Sequence, residues 1–411
     1  MTLGLCSKNS IEQRDADSTN PVFLDIGTQI LERCSGVPLV IRTIASTLSI
    51  KETEREWRSF KDNELARISQ KDGEILPTLK LSYDHLPAHL KHCFAYCRLY
   101  PKDYRIQVQT LVQLWIAQGF VKQSEPNQSL EEIGLDYFKD LAERSFFQEI
   151  IEYFDGRMGC KMHDLMHDLA ELVAGRESGI LDSNSNTGEV DEICRHITID
   201  FQIYPSFKGR KLRTLLHFRN EKYEKMSEAT WDFIISNCRC LRVLELEGLD
   251  LDIVPHSIHK LKHLRYLDLS RNDLKILPKS ICKLLNLQVL ELDLCLKLKE
   301  LPEKIEKLVN LTHLSCIGCW SLTHMPRGIG KLTSLQRLSM FVVDERGSRS
   351  AAAAAAAADL SELGGLNNLR GLLWIKNLGF VKNAKEEFRA ANLKEKQHLE
   401  SLGLDRGYTY R

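Results

Sequence analysis

The sequence has no excess of either charge: 56 Lys and Arg stand against 56 Asp and Glu, a formal net charge of +0. A balanced chain exerts no global pull on nucleic acid or an anionic membrane, so any charged surface must be local. No apolar run is long enough to cross a bilayer. The opening Met1-Thr2-Leu3-Gly4-Leu5-Cys6-Ser7-Lys8 lacks the basic stretch and apolar run of a secretory signal. Twelve cysteines in 411 residues are too scattered for a disulfide scaffold, which favours reduced thiols and an intracellular, cytoplasmic setting. A chain of this length buries two or three cores, so several domains are expected.

What is present is clearest in the second half. Leucines recur as L-x-x-L-x-L from Leu241, Leu264, Leu287, Leu311 and Leu335, at steps of 23, 23, 24 and 24 residues. Four units continue to a proline (Pro255, Pro278, Pro302, Pro326) and an isoleucine (Ile258, Ile281, Ile305, Ile329). This periodicity predicts a leucine-rich-repeat solenoid, one short parallel strand and a return segment per repeat. Weaker repeats follow at Leu369-Arg370-Gly371-Leu372 and Leu399-Glu400-Ser401-Leu402-Gly403-Leu404, after an alanine run, Ala351 to Ala358, that reads as a linker. The chain stops at Arg411 without a polar cap, which suggests a truncated end.

The strand positions between the leucines should face the concave side. They are Glu245 and Glu247, Asp268 and Ser270, then Glu291 and Asp293, so five acids stack across neighbouring strands before Ser315 with Ile317 and Ser339 with Phe341 turn the face apolar. Close like charges on adjacent strands cost stability, which points to a basic partner for Glu245, Glu247, Asp268, Glu291 and Asp293; the alternative is an ordinary solvated surface. Cys295 and Cys319 occupy the interior position held by Asn272, where packing is the expected role, and the lone Cys316-x-x-Cys319 pair is too little for zinc.

The first half reads as helical. Helices are expected on either side of Gly36-Val37-Pro38, over Ile75 to Tyr83, Leu90 to Tyr96, Thr110 to Gln118 and Leu130 to Arg144, followed by two extended runs joined at Asp155-Gly156. Cys93 and Cys97, one turn apart among apolar residues, suit a core. Helices followed by a hairpin suggest a winged helix. The helix from Leu130 carries five acids against Lys139 and Arg144, a face that would repel phosphate, so nucleic acid is not the expected partner.

Between these halves lies Lys161-Met162-His163-Asp164-Leu165-Met166-His167-Asp168-Leu169-Ala170. On a helix His163 and His167 share one face, as do Asp164 and Asp168. A metal-dependent phosphohydrolase could use such groups, but no third ligand cluster is evident for zinc. The plainer reading packs Met162, Leu165, Met166 and Leu169 inward and leaves His167 on the helix surface. A sharper one puts His163 at the helix N-terminus, where an imidazole and backbone N–H groups together suit an anion.

Several motifs resemble one family. Cys34-Ser35-Gly36-Val37-Pro38-Leu39 is similar to the G-L-P-L motif of plant nucleotide-binding leucine-rich-repeat (NB-ARC-LRR) disease-resistance receptors. Leu81-Ser82-Tyr83-Asp84-His85-Leu86-Pro87, Cys93-Phe94-Ala95-Tyr96-Cys97, Tyr100-Pro101-Lys102-Asp103-Tyr104 and Leu114-Trp115-Ile116-Ala117-Gln118-Gly119-Phe120 follow the same family's order and spacing, and Met162-His163-Asp164 matches its M-H-D motif. The resemblance implies that Pro38 lines an adenine pocket, that His163 contacts the β-phosphate of ADP in the inactive state, and that Asp164 restrains that state. No G-x-x-x-x-G-K-[ST] phosphate loop precedes Gly36, and Gly328-Ile329-Gly330-Lys331-Leu332-Thr333 lacks the spacing. The chain resembles a member truncated at its N-terminus. ADP and ATP serve the full-length family, whereas this chain alone is expected neither to bind ADP tightly nor to hydrolyse ATP.

The expected fold is therefore a multidomain α plus α/β chain, a helical ARC-type domain and winged helix followed by a leucine-rich-repeat solenoid. The boundaries are 1–85 the helical, ARC1-like C-terminal part of the nucleotide-binding domain, 86–180 winged helix with M-H-D, 181–240 linker and entry to the repeats, 241–345 regular repeats, 346–358 low-complexity linker and 359–411 divergent, truncated repeats. The implied function is pathogen recognition in ADP/ATP-switched defence signalling. Its partners would be a pathogen effector or guarded host protein, and the nucleotide domain within the same receptor, with no oligomer expected from this chain. A truncated decoy or adaptor that uses the repeats alone is the other reading of the same class.

Overall fold

The computed structural model describes residues 21–34, 36–67, 75–123, 128–153, 156–181, 192–199, 209–218, 225–345 and 357–407. The chain forms two compact units, residues 1–178 and 179–411. The helices before residue 85 and the winged helix both lie in the first unit.

The first unit begins with α1 (Pro21–Arg33), α2 (Pro38–Ser49), α3 (Glu54–Ser59), α4 (Leu76–Asp84) and α5 (Ala88–Tyr96). Pro38 opens α2, where a missing N–H costs nothing. Gly36 sits at φ +68 between α1 and α2, the left-handed conformation that ends a helix. Next come β1 (Ile106–Gln107), α6 (Val108–Gln118), α7 (Leu130–Glu143), β2 (Gln148–Glu152), β3 (Met158–Lys161) and α8 (Asp164–Ala174). The strands form an antiparallel sheet in the order β1-β3-β2, completing the winged helix. Asp155 of the expected turn lies outside the described residues. Ser129 and Glu132 close a reciprocal capping box on α7. Gly134 lets α7 meet α6, since a Cβ there would lie 2.5 Å from Val112 Cγ1. Cys93 and Cys97 are buried in this unit with Phe94, which meets Phe146 edge to face at 4.7 Å.

The second unit is the solenoid. Its main sheet runs in chain order through β4 (Ser178–Leu181), β5 (His196–Ile199), β6 (Thr214–Leu216), β7 (Val243–Glu245), β8 (Tyr266–Asp268), β9 (Val289–Glu291), β10 (His313–Ser315) and β11 (Arg337–Leu338). From β5 onward every neighbouring pair is parallel, and Leu215, Leu244, Leu267, Leu290, Leu314 and Leu338 stand in register through the core. The segment 181–240, expected as linker and entry to the repeats, contributes three ladder strands or their ends, with α9 (Glu228–Asn237) as a return segment. The four repeat isoleucines are buried beneath the return turns. Asn286 and Asn310 each donate to a carbonyl of the preceding repeat, Lys262 at 2.8 Å and Leu285 at 2.7 Å, which ties the turns together.

Ser339 divides the ladder. Its N–H still bonds Leu314 in the main sheet, while its carbonyl accepts from Trp374. A second parallel sheet then forms from β12 (Met340–Val342), β13 (Arg370–Lys376) and β14 (His398–Leu404), with α10 (Ala384–Ala391) between its last two strands. The division corrects the reading of Phe341 as part of an apolar concave face: after Ser339 the alternation resets and Phe341 is fully buried in the core. Most of the expected linker, 346–356, lies outside the described residues. Its end is built into the fold, since Ala357 bridges Pro326 and Ala358 is buried.

Candidate functional site

The M-H-D segment sits at the corner where β3 gives way to α8. Met162 is buried and anchors the turn, and His163 is the N-cap of α8, extended at φ −67 and ψ 145. Its Nδ1 accepts from the Leu165 N–H at 3.2 Å, and its carbonyl accepts from Met166 and His167. An Nδ1 that accepts holds a lone pair, so Nε2 carries the ring proton and is the donor that remains for a ligand. Asp164 is exposed in the first helical turn, where an acid complements the helix dipole. Pro38, also exposed, opens α2. Both α2 and α8 pack against α4, with Thr47 of α2 donating to Ser82 of α4 at 3.4 Å.

His163 offers an imidazole N–H beside a helix N-terminus and Pro38 a rigid apolar ring, groups of the kind that a nucleotide contacts. They do not supply a phosphate cradle with a lysine and a magnesium-binding hydroxyl.

The second His-Asp pair does different work, and the surface reading of His167 is corrected. His167 is 6% exposed, and its Nε2 donates to the Tyr100 carbonyl at 3.0 Å. Burial, then the nearby Arg98 and Lys102, hold its pKa below the usual histidine value, so it stays neutral. Asp168 pairs with Lys102 at 2.6 Å and Glu171 with Arg98 at 2.8 Å. Together they fasten α8 to the segment from Arg98 to Lys102. His167, Asp168 and Glu171 are close enough to suggest a metal group, but a lysine and an arginine already hold its carboxylates, and His163 and Asp164 stand outside it. A phosphohydrolase centre gains no support from this arrangement.

His167→Ala should therefore lower the unfolding free energy by about 2 kcal/mol, since it leaves a cavity and removes a buried hydrogen bond. His163→Ala, which loses only a cap, should cost about 1 kcal/mol or less. Denaturant unfolding of the two variants checks the order. Because the folded His167 binds its proton less readily than the unfolded one, its contribution is full above about pH 6.5 and fades as pH falls below that value.

The third site is the repeat face. Glu245, Asp268 and Glu291 stand side by side across β7, β8 and β9, in register with Ser315 of β10. Asp268 accepts from the Ser270 N–H at 2.8 Å and the Tyr266 hydroxyl at 3.4 Å. Asp293 Oδ1 accepts from Ser315 Oγ at 2.6 Å and the Ile317 N–H at 2.7 Å, and Glu247 pairs with Arg271 at 2.7 Å. Glu245 is only 8% exposed, and among the described residues neither of its carboxylate oxygens is both buried and unpartnered. Burial, with Asp268 and Glu247 adding to it, holds its carboxyl well above the usual range. Burial likewise pushes Asp268 up to about 7 and Glu291 to about 8, with neighbouring carboxylates reinforcing both.

Two features of this face went unread in the sequence. Arg213, Arg242 and Arg265 follow one another along the ladder just before the outward-facing strand residues, close enough that burial and the two flanking arginines depress Arg242. Each is the first variable residue of its repeat, so aligning the repeats by their leucines would have exposed the row. Beyond the acids stand Trp320, 66% exposed, and Trp374, 46% exposed. Lys376 lies 5.0 Å from the Trp320 ring centroid and bonds its carbonyl. Trp374 is on β13, and Trp320 lies in the turn that follows β10.

Residues 99–170 match the family model described as Disease resistance protein Winged helix domain, and residues 212–409 match that of a Leucine-rich repeat region. Disease resistance protein RGA2 of Solanum bulbocastanum is 42% identical over 389 residues, covering 94% of this chain and 36% of the relative. Putative disease resistance protein RGA1 of the same organism is 37% identical over 247 residues, 60% of this chain and 23% of the relative. Putative disease resistance RPP13-like protein 1 of Arabidopsis thaliana is 33% identical over 174 residues, 42% of this chain and 16% of the relative. The chain thus spans about a third or less of the relatives it matches. No helix among the described residues is long and apolar enough to cross a membrane. With its winged helix, its repeats and its similarity to RGA2 over nearly its whole length, the chain belongs to the plant nucleotide-binding leucine-rich-repeat disease-resistance proteins.

Proposed function

We propose that this chain supplies the nucleotide-sensing corner and the recognition surface of an intracellular plant immune receptor. The observation that carries the reading is His163 capping α8 through Nδ1, which leaves an Nε2–H donor beside a helix N-terminus. That is the chemistry required to sense a terminal phosphate of bound ADP. Pro38 would contribute an apolar wall for the base and Asp164 would steady the corner. The repeats would receive a pathogen effector or a guarded host protein on the concave side, in the cytoplasm, with a conformational switch rather than catalysis as the output.

The 411 residues contain no G-x-x-x-x-G-K-[ST] run. One wall without a phosphate cradle holds nucleotide weakly, so calorimetry on this chain alone should find no ADP binding at micromolar affinity and no ATP hydrolysis. Micromolar or tighter binding would contradict this assignment of roles.

A further inference from the structure

One nitrogen of His167 has nothing to bind. Its Nε2 donates to the Tyr100 carbonyl, so the ring proton sits on Nε2 and the lone pair on Nδ1. Burial keeps the ring neutral, which preserves that lone pair. Nδ1 is buried without a hydrogen-bond partner among the described residues, on a side chain more than nine-tenths buried. It lies 4.0 Å from Asp168 Oδ1. An acceptor thus faces an acceptor, and a buried acceptor with no donor costs stability. A ring whose other N–H is fixed on a backbone carbonyl is also the arrangement of a metal-ligating histidine.

One ligand atom from each of His167, Asp168 and Glu171 lies within 4.8 Å of the others. His167 and Glu171 stand one turn apart on the same face of α8. Glu171 is the third group that the two His-Asp pairs lacked as letters. Ligand atoms around zinc stand roughly 3.4 Å apart, given bonds of about 2.0–2.2 Å. The two carboxylate side chains, 38% and 55% exposed, have the freedom to close that difference. Lys102 and Arg98 compete for them through Asp168 Oδ1 and Glu171 Oε1. Ion pairs this open to solvent contribute little. A divalent ion brings twice the charge of either side chain and also takes the imidazole lone pair, which neither of them serves.

We infer that His167 Nδ1, Asp168 and Glu171 form a binding site for one divalent transition-metal ion of the zinc class, held on the middle turn of α8. One imidazole beside two carboxylates suits zinc over magnesium or calcium, which favour oxygen alone. Three protein ligands leave a fourth position to water. All three come from one helix, so the ion's role is to hold the fold. The site neither uses His163 nor depends on the nucleotide reading.

The test titrates zinc chloride into the full, metal-stripped chain against a chromophoric chelator. One zinc ion should bind with micromolar affinity or better. Glu171→Gln, at an exposed side chain, should weaken it about ten-fold or more without moving the melting temperature of the metal-free protein. Lys102→Gln should tighten it several-fold, because a competing cation is gone. Zinc bound anywhere else in the chain would respond to neither change. X-ray absorption at one equivalent of zinc should show nitrogen and oxygen neighbours only; a sulfur shell at about 2.3 Å would place the ion on the cysteines and overturn the inference. Binding no tighter than millimolar by the parent, or equal affinity in the parent and both variants, would overturn it as well.

Discussion

Asn272→Ala is expected to lower the unfolding free energy of the solenoid by about 4 kcal/mol, an unusually large loss for one polar side chain. The buried Asn272 amide oxygen accepts from Leu249 N at 3.1 Å and Leu251 N at 3.0 Å, and its amide nitrogen donates to the carbonyls of Leu246, Leu269 and Ser270 at 2.8, 2.9 and 3.1 Å. Five backbone groups from two repeats lose a partner at once, and each orphaned buried group costs about 1–3 kcal/mol before relaxation. Asn272→Cys should be milder. Cys295 and Cys319 fill the same position in later repeats, where their thiols donate to Leu269 O at 3.2 Å and Leu292 O at 3.0 Å. Urea unfolding of the two variants checks both size and order; a loss below about 1 kcal/mol for Asn272→Ala would show that the repeats do not depend on this bridge.

Neutralising the buried acids should act in the opposite direction. Glu245→Gln, Asp268→Asn and Glu291→Gln combined are expected to stabilise the protein at pH 8 by about 3 kcal/mol, discounted for the partial exposure of Asp268 and Glu291. Each folded carboxyl holds its proton to a higher pH than the unfolded one, Asp268 to about 7 and Glu291 to about 8. The folded state therefore binds more protons between about pH 4 and 8, and stability falls as pH rises through that window. His196 and His313 have the opposite sign. Burial holds both near 3, with Arg213, Arg195 and Arg242 adding to it at His196 and Arg337 at His313, so their contribution is full above about pH 6.5 and lost as pH falls. The triple variant should lose the alkaline decline and keep the acid one. Thermal melts from pH 4 to 9 decide it; a variant no more stable than the parent at pH 8 would show that the carboxylates are relieved in some other way.

How much of this could be read from the sequence depended on how local the cause was. The regular repeats were legible because a leucine every 23 or 24 residues sets both the strand and its register. The earlier strands were not, because α9 stretches the return segment: Leu212 and Leu241 are 29 residues apart, and β5 keeps no leucine ladder in its own sequence. The helix caps followed from neighbouring residues, and so did the placing of His163 at the start of α8. The burial of His167 did not, since its partner is the carbonyl of Tyr100, 67 residues away. Phe341 was misread because the alternation restarts at Ser339, where one strand passes between two sheets. The acidic stack was visible as letters, but the burial of Glu245 needed coordinates.

The central claim is that His163 senses nucleotide while His167 only holds the fold. It is tested most directly by joining this chain to a nucleotide-binding segment that carries a G-x-x-x-x-G-K-[ST] loop and measuring ADP affinity by calorimetry. The joined protein should bind ADP, and His163→Ala should weaken that binding at least ten-fold with little change in melting temperature. Unchanged ADP affinity in the His163→Ala protein would contradict the account.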